Sequence, residues 1–364
     1  MVIAFGELIR TAFEPPRYIS FPFSGIDLST SGVKAVRLEE TMHGLVLSNY
    51  ALVRIPAGAY VDGDIVDHAS IVDAVKTACR KADITAANAT LPESKSYLFE
   101  AEAPGVGKPQ WRIAIEQRID EFVPLPPPEI AFDIIGVGKA KSGNTQVAGV
   151  GFARRVVEDT LSVFDDALIE VRALEDEVFA IARALLPRGD DSTTLIIDFG
   201  KTTTKISIVE DRIPRFATTI GIGGHALTLA VQKYFGVTEI EARKVKAERG
   251  IVPAPGNEEY LASMLSSVSA IRDEIARRLE YWQSHAALDG FHKPIERAIL
   301  AGGNASVRGL SEYLEGAFQI PVAAGDVFTN LASRDSWLPE LDYTESLAYA
   351  TAIGLALYDH DLYA

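Results

Sequence analysis

The chain has 364 residues, 48% of them hydrophobic, and a formal net charge of −15. That length allows about two domains at ~100–200 residues each, and an acidic balance without a basic run excludes a nucleic-acid binder, which needs a positive footprint. One cysteine, Cys79, excludes an internal disulfide, the six histidines are scattered, and no Cys/His cluster suggests a metal.

No apolar run reaches the ~18 residues of a membrane-spanning helix. Residues 1–22 contain Glu7, Arg10, Glu14 and Arg17 and lack a signal-peptide core, so a cytoplasmic protein is expected. This segment reads as a short amphipathic helix or a flexible tail. Near-alternating apolar residues predict strands at 22–29, 33–39 and 45–55. A helix is predicted at 64–82 and a strand near 86–91. A Pro/Gly cluster at 104–109, a helix over 110–122 and the break at Pro124-Leu-Pro-Pro-Pro128 mark an inserted piece. With strands near 129–137 and 145–152, a helix at 154–166 and a strand at 168–173, it is expected to form a small α+β subdomain over about 106–173.

A helix at 174–186 precedes strands at 193–199, 204–210 and 213–220. Helices follow from Gly224 to about 234, over 239–249 with a stop at Gly250, and over 258–287 with one apolar stripe. A strand at 295–300 and helices at 306–318 and 345–358 complete the pattern. The grouping is a first lobe of 23–105, 174–191 and 345–364, the inserted subdomain, and a second lobe of 192–344 with a helical portion at about 225–294.

Two segments repeat one design. Gly25-Ile-Asp-Leu-Ser-Thr-Ser-Gly-Val-Lys-Ala-Val36 and Leu195-Ile-Ile-Asp-Phe-Gly-Lys-Thr-Thr-Thr-Lys-Ile-Ser-Ile-Val209 each read as strand, hydroxyl-rich turn, strand. Phosphates bind where backbone N–H groups converge in tight turns, and small or hydroxyl side chains let them approach. Ser29, Thr30, Ser31 and Lys34 supply those parts in the first copy, and Gly200, Lys201, Thr202 and Thr203 in the second. Asp27 and Asp198 end the first strand of each hairpin and suit Mg²⁺ held through water, because that ion keeps much of its hydration shell. A third motif, Ala298-Ile-Leu-Ala-Gly-Gly-Asn-Ala-Ser-Val-Arg-Gly-Leu310, offers a Gly302-Gly303 turn with Asn304 and Arg308 to receive a nucleoside.

In this order the three motifs resemble the actin-like ATPase superfamily, which implies an α/β, ribonuclease H-like fold of two lobes around ATP or ADP with Mg²⁺. The resemblance places Glu177 near the attacking water as a candidate catalytic residue, and Lys246 near the nucleoside. It also makes residues 346–357 a second connecting helix, whose small side chains would let two helices cross closely. A tighter similarity, along Phe23 to Leu357, is to the PilM family of type IV pilus assembly proteins, carried also by Gly63-Asp-Ile-Val66, Leu91-Pro-Glu-Ser94, Phe122-Val-Pro-Leu-Pro126 and Tyr349-Ala-Thr-Ala-Ile-Gly-Leu-Ala356. It implies a cytoplasmic, ATP-binding adaptor of pilus biogenesis and twitching motility, with weak or absent hydrolysis. It also implies docking of the N-terminal cytoplasmic tail of PilN, an inner-membrane partner, in an apolar groove between the first lobe and the inserted subdomain. Other pilus components and the motor would be further partners. The alternatives are an FtsA-like filament protein, a GspL-like secretion protein and a small-molecule kinase or ATPase of the same fold. Two residues depart from the pattern: Ser29 replaces a glycine, and its Cβ limits phosphate approach; Arg243 stands where a glutamate is expected.

Overall fold

The structure, a computed structural model, describes residues 23–105, 107–289 and 292–363; the expectations for 1–22 lie outside them. Strands β1 (Phe23–Ser29), β2 (Gly32–Thr41) and β3 (Gly44–Val53) lead through a short hairpin, β4 (Tyr60–Val61) and β5 (Asp64–Ile65), to helix α1 (His68–Ala82). That hairpin occupies the start of the helix expected from 64, and Asp67 caps α1 instead, its side chain accepting from the Ser70 N–H. Strands β6 (Ala86–Leu91) and β7 (Ser96–Ala103), helix α2 (Lys108–Glu116), β8 (Ile130–Lys139), β9 (Thr145–Ala153), α3 (Arg154–Ala167), β10 (Glu170–Asp176) and α4 (Glu177–Leu185) follow. The second half contains β11 (Thr193–Phe199), β12 (Thr204–Glu210), β13 (Ile213–Ile220), α5 (Gly224–Phe235), α6 (Glu239–Arg249), α7 (Glu258–Asp289), β14 (Arg297–Ala301), α8 (Leu310–Phe318), β15 (Val322–Ala324), α9 (Tyr343–Ser346), α10 (Ala350–Ala356) and α11 (Tyr358–Tyr363).

Two five-stranded sheets share one topology. The first has the order β10-β6-β1-β2-β3 and the second β15-β14-β11-β12-β13. In each, three consecutive strands form an antiparallel meander, and two later strands add in parallel beside the first. The parallel additions need crossovers, which the intervening segments supply. The two lobes are thus copies of one plan, as the repeated hairpins suggested.

The inserted unit differs from the expected span of 106–173. Its sheet is β7-β9-β8, so it begins with β7, and β10 pairs in parallel with β6 in the first-lobe sheet. Helix α3 goes with that lobe too, because its Val163, Phe164 and Ala167 are buried in the same cluster as Ile71, Val75 and Cys79 of α1. By sheet and core membership the inserted unit is therefore Ser96–Ala153. It has its own core of Phe99, Ile115, Ile119, Val123, Ile134 and Val147.

Helices α4 and α10 cross closely where the backbone of Gly354 meets that of Ala180. A Cβ on Gly354 would overlap the carbonyl oxygen of Ala180, and one on Gly25, in β1 beneath, would overlap the carbonyl oxygen of Ala352 in α10. This is the close crossing that the small residues of 346–357 predict. The closing helix is broken, however, into α9, a 3-10 turn at Leu347–Tyr349, α10 and α11.

Candidate functional site

The sheet registers carry the repeated motif into space. Asp27 lies opposite Lys34 across β1 and β2, and Asp198 lies opposite Lys205 across β11 and β12. The two turns meet: the hydroxyls of Thr30 and Thr202 are 3.0 Å apart. Behind them opens a cleft of about 630 Å³ between the lobes. Asp27, Ser29, Thr30, Ser31, Lys34, Glu177, Asp198, Gly200, Lys201, Thr203, Lys246, Gly302, Gly303, Asn304 and Arg308 all line it. Of the expected site residues Thr202 alone is absent from its lining, and it serves in the turn-to-turn contact instead.

The floor of the cleft is a set of buried charges. Lys34 Nζ donates to Asp27 Oδ2 at 2.6 Å, while Asp27 Oδ1 is buried and has no hydrogen-bond partner. Lys205 does not close onto its own aspartate in the same way; its Nζ donates to Glu177 Oε2 at 2.5 Å. The other oxygen of Glu177 accepts the backbone N–H of Glu93 at 2.9 Å. Glu177 is held there because Asp176, the N-cap of α4, accepts from Val178 N–H and starts the helix at Glu177. Burial raises the Asp198 carboxyl above the ordinary aspartate range, and Glu177 adds to that while Lys205 opposes it. Burial works against the charge of Lys205, yet Glu177 and Asp198 outweigh it and hold its pKa above normal.

The second-lobe wall is cationic. Lys246 Nζ donates to Asn304 Oδ1 at 2.7 Å and to the Gly224 carbonyl at 3.2 Å, both neutral acceptors. Burial, with the charge of Arg243 adding to it, brings Lys246 down to about 8. Asn304 is fixed in turn, its Nδ2 donating to the carbonyls of Gly200 at 2.8 Å and Phe199 at 3.2 Å. Gly302 has φ +84°, and a Cβ there would overlap Asp198, so this turn admits glycine alone. Arg243 pairs with Glu239 one turn earlier on α6, and Arg308 donates to the Glu248 carbonyl at 2.7 Å. Seven basic side chains line the cleft against four carboxylates, in a chain of net charge −15. That reversal of sign suits a polyanion.

Ser29 takes up its own turn: its hydroxyl lies 2.9 Å from that of Ser31 and donates to the Gly32 carbonyl at 3.2 Å. Sequence reasoning did not single out Lys205, Glu93, Thr219 or Arg54. The offset of seven residues from aspartate to lysine, the same in both hairpins, was the available signal for Lys205. Glu93 and Thr219 are brought in only by tertiary structure.

Paired ribonuclease H-like sheets around an interlobe cleft, with two phosphate-type hairpins and a Gly-Gly turn, define an actin-like fold. Solved structures agree on it. MreB5 of Spiroplasma citri bound to ADP is 16% identical, with a TM-score of 0.57 over 94% of this chain and 97% of that one. The same protein bound to AMPPNP gives 16% identity and 0.57, over 96% and 98%. A PilM-PilN type IV pilus biogenesis complex gives a TM-score of 0.73 at 18% identity, over 92% of this chain and 97% of that one. The family model for the type IV pilus assembly protein PilM matches residues 25–360, and the chain belongs to that family.

Proposed function

We propose that this chain is an ATP-binding adaptor of type IV pilus assembly whose output is the docking of a PilN-type N-terminal cytoplasmic tail. The observation that carries the nucleotide half of this reading is the joined pair of hairpin turns over a carboxylate floor and a cationic wall. Phosphates would lie against Lys201, Lys246 and the turn N–H groups, with the nucleoside toward Gly302, Gly303, Asn304 and Arg308. Mg²⁺ fits the floor: Asp27 Oδ1 is buried without a partner, and burial disfavours the charged form of the Asp198 carboxylate beside it. Those two aspartates would hold the ion through water, and it would supply positive charge against phosphate oxygens.

Weak or absent turnover belongs to this reading as the family resemblance implies it. In the nucleotide-free cleft Glu177 orders the floor, one oxygen accepting from the Lys205 ammonium and the other from the Glu93 backbone N–H.

The partner half rests on family membership and on a relative solved with PilN. The tail would dock between the first lobe and the inserted unit, placing the protein at the cytoplasmic face of the inner membrane beside other pilus components and the motor. Among the described residues, no helix is long and apolar enough to cross a membrane. Calorimetric titration of nucleotide-free protein with Mg²⁺-ATP, repeated with Asp198→Ala, tests the first half; saturable binding lost in the variant is expected. Titration with a PilN-type tail peptide tests the second, and no binding at high micromolar concentration would refute it.

A further inference from the structure

The floor of the cleft continues into the joint of the inserted unit. Residues 92–95 link β6 of the first lobe to β7, the first strand of the inserted sheet. This joint is tied to the second lobe by a closed ring. Lys205 donates to Glu177, Glu177 accepts the Glu93 N–H, and the Thr219 hydroxyl donates to the Glu93 side chain. Thr219 is the cross-strand partner of Lys205, which closes the circuit. Glu93 is 6% exposed and Glu177 also 6%, so the ring is dry where it meets the joint. Further along β7, Arg215 of β13 pairs with Glu100 at 3.0 Å, and His292 lies within 3.3 Å of Glu100 and 3.1 Å of Glu210. Among the described residues the inserted unit is therefore clamped to the edge strand of the second lobe at these two points, and of the two the ring reaches the cleft.

Lys205 lines that cleft. Lys34, its counterpart in the first hairpin, is neutralised by the aspartate opposite it, whereas Lys205 is neutralised by a glutamate on a different element. An ammonium shared between a carboxylate and a binding cleft can be drawn to a second anion, and a phosphate competes with a carboxylate for it on equal chemical footing. Resting on the nucleotide reading above, we infer that Lys205 reads the terminal phosphate of a nucleoside triphosphate, and that its transfer from Glu177 to phosphate loosens the joint at Glu93 and frees the inserted unit. A diphosphate, one phosphate shorter, leaves the ring closed. The site thus discriminates tri- from diphosphate through one lysine and reports the difference where the sheet of the inserted unit begins.

Hydrogen exchange by mass spectrometry on the full chain tests this, with no nucleotide, with Mg²⁺-ADP and with a non-hydrolysable Mg²⁺-ATP analogue. Exchange across 93–103 is expected to rise about threefold or more with the triphosphate and not with the diphosphate, as local opening free energy falls. Lys205→Gln should bind both nucleotides equally and show raised exchange in every state. Glu93→Ala keeps the backbone donor to Glu177 but removes the clasp to Thr219; it should retain the triphosphate preference and lose the exchange difference. Binding of both nucleotides with identical exchange across 93–103 would overturn the inference and leave the nucleotide reading standing. Absence of binding by either nucleotide would overturn both.

Discussion

The two hairpins at the heart of this molecule have the same topology and the same aspartate-to-lysine register, yet their charges are arranged differently. In the first, Lys34 closes onto Asp27 Oδ2 and the Ser29 hydroxyl fills the turn, so the ammonium is neutralised within its own hairpin while Asp27 Oδ1 keeps no partner. In the second, Lys205 reaches out to Glu177 at the start of α4, and Gly200 leaves its turn bare. One scaffold occurs twice, and the difference between the two lies in where a single ammonium goes. The first copy reads as a fixed jaw, and the second as the one that connects outward to the connecting helix and the inserted unit.

The largest expected effect tests the scaffold the two copies share. Gly354→Ala would push a methyl group into the Ala180 carbonyl and separate the connecting helices, at about 3 kcal/mol or more if the backbones cannot yield. Denaturant unfolding would show it, and a loss under about 1 kcal/mol would mean the crossing is looser than described. Next is the self-contained pair. Lys34→Met leaves Asp27 buried without its partner and is expected to cost roughly 3 kcal/mol, while the double variant with Asp27→Asn should recover most of that. A double-mutant cycle without coupling would erase the contrast between the hairpins.

The third prediction concerns protons on the two sides of the second lobe. Lys246 stands near 8, below its unfolded value, so at pH 8–9 much of it is neutral in the empty cleft. A bound polyanion favours the charged form, and nucleotide binding in that window should therefore take up a fraction of a proton. Titrations in buffers of different ionisation enthalpy would measure it, and Lys246→Met should abolish it. His292 goes the opposite way. Burial opposes its charge, but the hydrogen bonds its ring donates to Glu100 and Glu210 overcome this and raise it to about 9, with Arg215 and Lys293 as the neighbouring cations. A folded pKa above the unfolded one stabilises fully below about pH 6.5. That contribution is lost as pH rises through about 9. The melting temperature should fall across pH 7–9.5 less steeply in His292→Gln than in the parent.

The smallest effect is expected at Arg243. Its pair with Glu239 is an exposed contact one helical turn apart, so Arg243→Glu should change stability by under about 0.5 kcal/mol. Any change in nucleotide affinity then reports the cleft itself. A large stability change would show that the pair is more than a surface contact.

Much of the fold was legible because the alternating pattern is clean where a sheet has one buried face. The strands at 193–199, 204–210 and 213–220 stand where the sequence puts them. Strand β7 was missed because Ser96–Ala103 carries alanines and glutamates, which favour helix, and its buried Phe99, Ala101 and Ala103 become a pattern only once β9 is alongside. Missing it moved the boundary of the inserted unit to the Pro/Gly cluster at 104–109. The parallel pairing of β10 with β6 is long-range and leaves no local mark, which is why residues 170–173 read as part of the insertion and 174–176 as the start of the next helix. In the site, each hairpin residue was visible in its motif. The partners that decide what those residues do, Glu93 for Glu177 and Glu177 for Lys205, lie 84 and 28 residues away in sequence.

The single cysteine has a practical meaning beyond its place in the first-lobe core. Cys79 is 1% exposed, and burial pushes its thiol up to about 12. A thiol that is neither accessible nor ionised does not react with maleimides on the timescale of a labelling experiment. The native chain therefore behaves as a cysteine-free background. One cysteine placed on the inserted unit and another on the second lobe would carry a pair of spectroscopic probes, and the distance between those two parts could be followed in solution without removing any residue from the core.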